Sequence, residues 1–165
     1  MIAMPKSQRK WITPQHRLLT RIDSKHFNLS ANVGVKFKQV TKSELRFLDE
    51  VKPGENIKTV KEKLGEPFFI YSDNQVSASN KVYTYGLKSG SQKLKVQLHF
   101  KENRFSMGTI SYNAPVIYSE LNSYFMQKYS LPTFNILRDV IVDKDGNFIS
   151  FQLKHDQLMI LYCQQ

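Results

Sequence analysis

The chain is poor in cysteine and in long apolar runs. Cys163 is the only cysteine among 165 residues, which excludes an intramolecular disulfide framework and a zinc site built from cysteines. No run approaches the roughly 18 apolar residues that a membrane helix needs, and the first residues lack the apolar segment of a signal peptide. We therefore expect a soluble protein without a transmembrane segment. It would be cytoplasmic if the chain is complete, and secreted or in the envelope if a leader has been removed.

Acidic residues are scarce at the N-terminus. Residues 1–40 contain eight Lys or Arg and one acid, Asp23, so this quarter carries +7 of the formal net charge of +10. Such asymmetry predicts a basic N-terminal arm (residues 1–40) that could contact nucleic acid, an anionic surface or an acidic protein. A solvated leader without a specific partner is the other interpretation. The candidate anion-binding side chains of the arm are Arg9, Lys10, Arg17 and Arg21.

The arm also shows two short structural patterns. Thr13 and Pro14 can begin a helix whose apolar edge would be Leu18, Leu19 and Ile22. The alternation of Val33, Val35 and Phe37 with Gly34, Lys36 and Lys38 predicts a strand.

Glycine is also sparse, with seven in the chain, and this affects how residues 51–69 (VKPGENIKTVKEKLGEPFF) are interpreted. A phosphate-binding loop needs several glycines before a helix, and here Gly54 stands alone. Ile57, Val60 and Leu64 instead fall on one stripe of an amphipathic helix, with Asn56 as its N-cap and Gly65 at its end. Pro67 then prevents the helix from continuing.

A second helix is predicted just before this one, and strands after it. Thr41-Lys42-Ser43-Glu44 has the spacing of a capping box and predicts a helix over about 42–50. After Pro67 the pattern turns to strands, clearest where Leu94, Val96, Leu98 and Phe100 alternate with polar residues. The predicted strands are 68–71, 81–87, 94–100 and 104–112.

The last third of the chain shows a similar order of elements. A helical pattern over 115–129 precedes an extended segment over 134–142, a turn at 143–147, and strands at 148–154 and 157–163. A shift of 65 residues places Lys63, Pro67 and Phe69 over their identical counterparts Lys128, Pro132 and Phe134. We predict an α+β fold with a helix-helix unit followed by an antiparallel β-meander over 41–113. Residues 114–165 either pack on the same core or form a degenerate second copy.

The predicted helix and meander resemble a known module. Gly54, Asn56, Val60, Leu64, Gly65 and Pro67, followed by Tyr83-Thr84-Tyr85 and the segment LHFKENRFSMG, are similar to the SmpA/OmlA (BamE) lipoprotein family and to the halves of β-lactamase inhibitor protein. The resemblance covers about residues 51–112. It implies a helix-helix-meander unit that contacts other proteins through its sheet and loops, and it implies no catalytic residue. The chain departs from the family at Glu55 and Asn56 and has no lipobox.

Residues able to support catalysis or metal binding are dispersed. The four histidines lie far apart at positions 16, 26, 99 and 155, and none has a metal-binding spacing. Cys163 has no local activating group, which predicts a packed thiol. Asp143-Lys144-Asp145-Gly146-Asn147 lacks the glycine and glutamate positions of a calcium loop, so it is interpreted as a hairpin turn. We therefore expect no enzyme activity, no cofactor and no metal.

The remaining signal is a sheet face rich in Lys and Tyr. If Leu94, Val96, Leu98 and Phe100 face the helices, the residues between them line the opposite face, to which neighbouring strands could add tyrosines. Such a face suits a protein partner, and it also suits stacked bases and phosphates. The other interpretation places Tyr83 and Tyr85 in the core and leaves the lysines only to solubilise the sheet. The primary hypothesis is a non-enzymatic protein-interaction module, and the alternative is a nucleic-acid or anionic-surface binder acting through its basic arm. The candidate partner-binding residues are Tyr83, Tyr85, Lys93, Lys95 and His99.

Overall fold

The computed structural model describes residues 37–72, 80–89, 92–112, 117–154 and 157–164. Within these ranges the chain contains two helices and eight strands, and all eight strands belong to one sheet. It is therefore a mixed helix-and-sheet protein, in agreement with the predicted α+β class. The predicted helix at Thr13-Pro14, and all but the end of the predicted strand at 33–38, lie outside the described residues.

The helices and strands are numbered in chain order. Their bounds are β1 Phe37–Val40, α1 Ile57–Leu64, β2 Phe69–Ser72, β3 Lys81–Ser89, β4 Gln92–Lys101, β5 Arg104–Tyr112, α2 Tyr118–Tyr129, β6 Asp139–Val142, β7 Phe148–Lys154 and β8 Gln157–Cys163. Neither of the described helices, the longer of which has 12 residues, is long and apolar enough to cross a membrane.

The strands are arranged in the order β1-β6-β7-β8-β5-β4-β3-β2. Strands β2 to β5 are consecutive antiparallel neighbours, and so are β6 to β8. The two groups meet at the antiparallel pair β5 and β8. Only the edge pair β1 and β6 is parallel.

Both helices pack on the same face of the sheet, here called the helix-bearing face. Val60 and Leu64 of α1 and Phe125 and Tyr129 of α2 belong to one buried apolar cluster with the inward side chains of the strands. Helix α1 begins where expected, because the Asn56 side chain accepts a hydrogen bond from Lys58 N at 2.9 Å. It ends at Gly65, whose φ of 84° is costly for residues with a side chain.

The predicted helix over 42–50 is wrong. Leu48 and Asp49 have φ of 54° and 61°, and the segment makes a tight turn closed by hydrogen bonds between Phe47 and Val51. The Thr41 hydroxyl donates to the carbonyl oxygen of Tyr129 and accepts from Ser43 N, and no hydrogen bond joins it to Glu44. Leu45 and Phe47 are both buried. Side-chain burial therefore alternates along this segment and does not follow the stripe expected of a helix.

This turn fixes Phe47 over the sheet. The Phe47 ring stacks on Phe105 with centroids 5.5 Å apart and contacts the edge of Tyr162 at 5.2 Å. Gly108 of β5 lies beneath the ring, and a Cβ atom at that position would stand 2.5 Å from a Phe47 ring carbon. The absence of a side chain at Gly108 is therefore what lets the 41–51 segment approach the sheet.

Candidate binding face

The opposite side of the sheet carries neither described helix and is here called the helix-free face. Residues paired across neighbouring strands point to the same side, so the register defines rows of side chains on this face. The central row is Thr84, Gln97, Thr109, Leu161 and Ser150. The row on one side of it is Gly86, Lys95, Ser111, Met159 and Gln152. The row on the other side is Val82, His99, Met107, Cys163 and Phe148.

Hydroxyl groups concentrate at the centre of this face. Thr84, Thr109, Ser111 and Ser150 are all buried. Their side-chain oxygens have no hydrogen-bond partner among the described residues, and neither does Nε2 of His99. A buried polar atom without a partner costs about 1–3 kcal/mol, so native structures contain few of them. Five such atoms therefore lie together on the helix-free face.

Burial also changes the acid-base behaviour of this face. It lowers the pKa of His99 to about 4, so the imidazole is neutral at pH 7. It lowers the pKa of the Lys95 ammonium and raises the pKa of the Cys163 thiol to about 12. Cys163 is thus an unreactive packed thiol, as predicted, and forms a small apolar cluster with Met107 and Leu161.

The charges on the helix-free face have one sign. Lys38 and Lys88 are exposed at its two sides and Lys95 is half-buried between them. Among the strand residues that the structure describes on this face, there is no Asp or Glu. The face therefore offers positive charge and hydroxyl groups together.

The placement of the two candidate tyrosines on this face is wrong. Tyr83 and Tyr85 pair in register with Leu98 and Val96, so both point toward the helices and are only 6% and 2% exposed. The Tyr83 ring meets Phe100 edge-on at 5.0 Å, and the Tyr85 hydroxyl donates to the carbonyl oxygen of Gly65. Both side chains belong to the core, and Tyr85 also fixes the end of α1 to the sheet.

The other predicted site residues have different outcomes. Lys95 and His99 do lie on the helix-free face, but His99 is buried where a solvent-facing side chain was expected. The backbone of Lys93 pairs with Lys88, and its side chain lies outside the described part. Arg9, Lys10, Arg17 and Arg21 all precede the described residues.

Sequence analysis missed the hydroxyl residues, although a signal for them was present. In β5, Thr109 and Ser111 alternate with Ile110 and Tyr112. Since the two apolar residues had to face the core, the two hydroxyls had to lie on the same face as Lys95.

A second set of perturbed groups joins α2 and β8 to the turn at 47–51. Tyr162 and Tyr129 share a hydrogen bond, and burial raises the pKa of both phenols. Lys128 pairs with Asp49 and lies 5.6 Å from the ring centroid of Tyr129. Burial opposes the charge of Lys128, but these partners raise its pKa overall. In this pair the Tyr162 hydroxyl donates and the Tyr129 oxygen accepts, which suits a structural role.

The turn at 143–147 is a hairpin turn, as predicted. Gly146 has φ of 82°. The Asp143 carboxylate accepts hydrogen bonds from the backbone N–H groups of Leu45, Asp145 and Asn147. Within the described ranges, no group of three His, Cys, Asp or Glu side chains could hold a metal ion.

Comparison of the chain with protein-family models, with curated proteins and with solved structures found no match. The resemblance to the SmpA/OmlA (BamE) family therefore stays a prediction, and the geometry of the helix-free face carries the functional argument.

Proposed function

We propose that the chain is a non-enzymatic protein-interaction module that binds an acidic protein partner through its helix-free face. The observation that supports this most strongly is the group of hydroxyls at Thr84, Thr109, Ser111 and Ser150, which have no partner among the described residues. A partner that supplies hydrogen-bonding groups would remove the cost of leaving these atoms unsatisfied.

The charge pattern supports an acidic partner. Lys38 and Lys88 lie exposed on this face, and the described strands carry no Asp or Glu on it. Charge complementarity at an interface steers the encounter and disfavours partners of the wrong sign. Lys95 lies between these two lysines and is partly desolvated by burial, as its lowered pKa indicates.

This proposal changes the set of binding residues. Lys95 and His99 remain in it, and Lys93 stays a prediction. The residues that join it are Lys38, Lys88, Thr84, Thr109, Ser111 and Ser150. Tyr83 and Tyr85 act as scaffold residues, so their substitution would disturb the core before it reported on binding.

The proposed scaffold is a duplicated helix-and-meander unit of the SmpA/OmlA type. Under the shift of 65 residues, Leu64 and Tyr129 are the last residues of α1 and α2. The residues that follow them, Gly65 and Ser130, have φ of 84° and 53°. The two strand groups, β2 to β5 and β6 to β8, support the same proposal. Within each group the strands are antiparallel neighbours in chain order.

A capture experiment with matched charge reversals tests the binding proposal. We expect K38E/K88E, which reverses two exposed lysines of the helix-free face, to reduce capture of the partner from native lysate by about tenfold. Losing two exposed charge pairs of about 0.5–1 kcal/mol each gives a change of this size. The control K42E/K58E makes the same charge change at two exposed lysines elsewhere and should capture as the wild type does. Equal loss in both variants would show that net charge, and not this face, determines capture.

The alternative function is binding of nucleic acid or an anionic surface by the basic arm. The charge of +7 in residues 1–40 favours it. Each phosphate contact lowers log K by about 0.9 per decade of salt on duplex DNA. A steep salt dependence that weakens when Arg9, Lys10, Arg17 and Arg21 become Gln would support this alternative, and binding that is insensitive to salt would contradict it.

A further inference from the structure

The two edges of the sheet differ in charge. Strand β1, at one edge, carries the exposed side chain of Lys38, and a charged residue on an edge strand disfavours pairing with a further strand. Strand β2, at the other edge, has the sequence Phe69-Ile70-Tyr71-Ser72 and contains no charged residue. Among the described strands, only β3 pairs with β2. The other side of β2 can therefore accept a strand from outside the chain.

Apolar side chains of β2 are exposed on both faces of the sheet. Ile70 pairs with Tyr83 and so lies on the helix-bearing face, and Tyr71 pairs with Val82 and so lies on the helix-free face. Ile70 is 45% exposed and Tyr71 is 38% exposed. A strand added at this edge would cover part of both side chains, and burial of apolar surface favours association.

We propose that β2 pairs with β2 of a second copy of this chain, antiparallel to it and about a two-fold axis at Ile70. In this register Ile70 lies opposite Ile70 of the second copy. Phe69 lies opposite Tyr71 of the second copy, and symmetry forms this aromatic pair twice. Every described residue of the strand then faces an uncharged residue.

Charge favours both this occupant and this direction. The formal net charge is +10, so two copies repel each other at basic surfaces, and an uncharged strand avoids direct repulsion. Just before β2 lies the exposed Glu66, which also pairs with Lys61. At the other end of β2, Ser72 pairs with Lys81 of β3. Antiparallel pairing brings Glu66 of each copy to the end where Lys81 of the other lies, whereas parallel pairing would bring like charges together.

The dimer joins two eight-stranded sheets into one. Because the two-fold axis is perpendicular to the sheet, both helix-free faces lie on the same side of it. Formation of the dimer involves no other protein, so it can fail while partner capture succeeds, and the reverse.

Sedimentation equilibrium of the full chain tests the dimer. One strand pair is smaller than a standard interface, so we expect the wild type to pass from monomer to dimer between about 1 and 500 µM. I70K places two lysines opposite each other across the axis and should raise the dissociation constant at least about tenfold. The control I117K makes the same change at an exposed isoleucine outside the sheet and should dimerise as the wild type does. A wild type that stays monomeric would leave this edge to a strand of another protein and overturn the proposal, and so would an unchanged dissociation constant for I70K.

Disulfide cross-linking tests the register. Opposite Cα atoms in an antiparallel pair lie about 4.5–5.5 Å apart, within the range that a disulfide spans. Cys163 is buried, and its pKa is raised to about 12, so it does not compete. Under mild oxidation I70C should form a covalent dimer. Y71C, displaced from its counterpart along the strands, and I117C should not. No covalent dimer from I70C, or equal cross-linking by all three variants, would contradict pairing at Ile70.

Discussion

Replacing Gly108 by alanine is expected to lower the free energy of unfolding by about 3 kcal/mol, at the upper end of the usual cost of overpacking a core. The new Cβ would stand 2.5 Å from the Phe47 ring, well inside contact distance. The ring cannot withdraw easily, because Phe105 and Tyr162 hold it on two sides. The whole turn at 47–51 would have to move away from the sheet.

Urea unfolding of G108A, F47L and the double variant measures this effect and its cause. If the clash with Phe47 is the reason, the smaller leucine should relieve it, and the double variant should lose at least about 1 kcal/mol less than the sum of the single losses. A G108A protein within about 0.5 kcal/mol of the wild type, the range of ordinary surface substitutions, would show that the turn does not press on β5 as described.

Acidification is expected to destabilise the protein through His99. The unfolded chain protonates this histidine near pH 6.5, whereas burial holds its pKa in the folded protein at about 4. Between these values the unfolded state binds a proton that the folded state does not, so stability falls as the pH is lowered from 6.5 to 4. A difference of about 2.5 pKa units corresponds to a loss of about 3 kcal/mol at the acid end.

The variant H99Q isolates this contribution. Carboxylates and the other three histidines also titrate over this range, so the useful quantity is the difference between wild type and variant. Urea midpoints at pH 7, 5.5 and 4.5 should fall more steeply for the wild type than for H99Q. If the urea midpoints of the two proteins fall equally with pH, His99 is not buried in its neutral form.

The elements that local chemistry determines could be predicted from sequence. Helix α1 has an N-cap at Asn56 and an end at Gly65, and both function as expected. The strand predicted at 104–112 matches β5. The hairpin turn that precedes β5 uses Glu102 and Asn103, which both have positive φ. In these cases one short segment contains all the information.

Errors arose where distant contacts decide the outcome. Thr41 to Glu44 carries a helix-starting pattern, yet the Thr41 hydroxyl bonds to Tyr129 and Leu45 N bonds to Asp143. Tyr83 and Tyr85 could be assigned to either face, because tyrosine suits both a core and a binding surface and Val82 stands in the opposite alternating set. Only the pairing of β3 with β4 fixes which set faces the core.

The candidate site was predicted in part for the same reason. Lys95 and His99 lie on β4, where alternation is clear enough to assign the face. The hydroxyls come together from β3, β5 and β7. Ser150 lies near Thr109 because β5 pairs with β8 and β8 pairs with β7. The pairing of β5 with β8 joins segments that are far apart in the chain. A pairing of this kind cannot be read from the pattern of either strand alone.

Site-specific photocrosslinking tests most directly whether the helix-free face is the binding surface. A benzophenone amino acid would replace Lys88, exposed on this face, in one protein and Lys58, exposed on α1, in another. Both would be irradiated in native lysate at equal concentration. The account predicts a discrete acidic crosslinked partner from position 88, reduced about threefold in the K38E background, and no such product from position 58. The same product from both positions, or from position 58 alone, would contradict it.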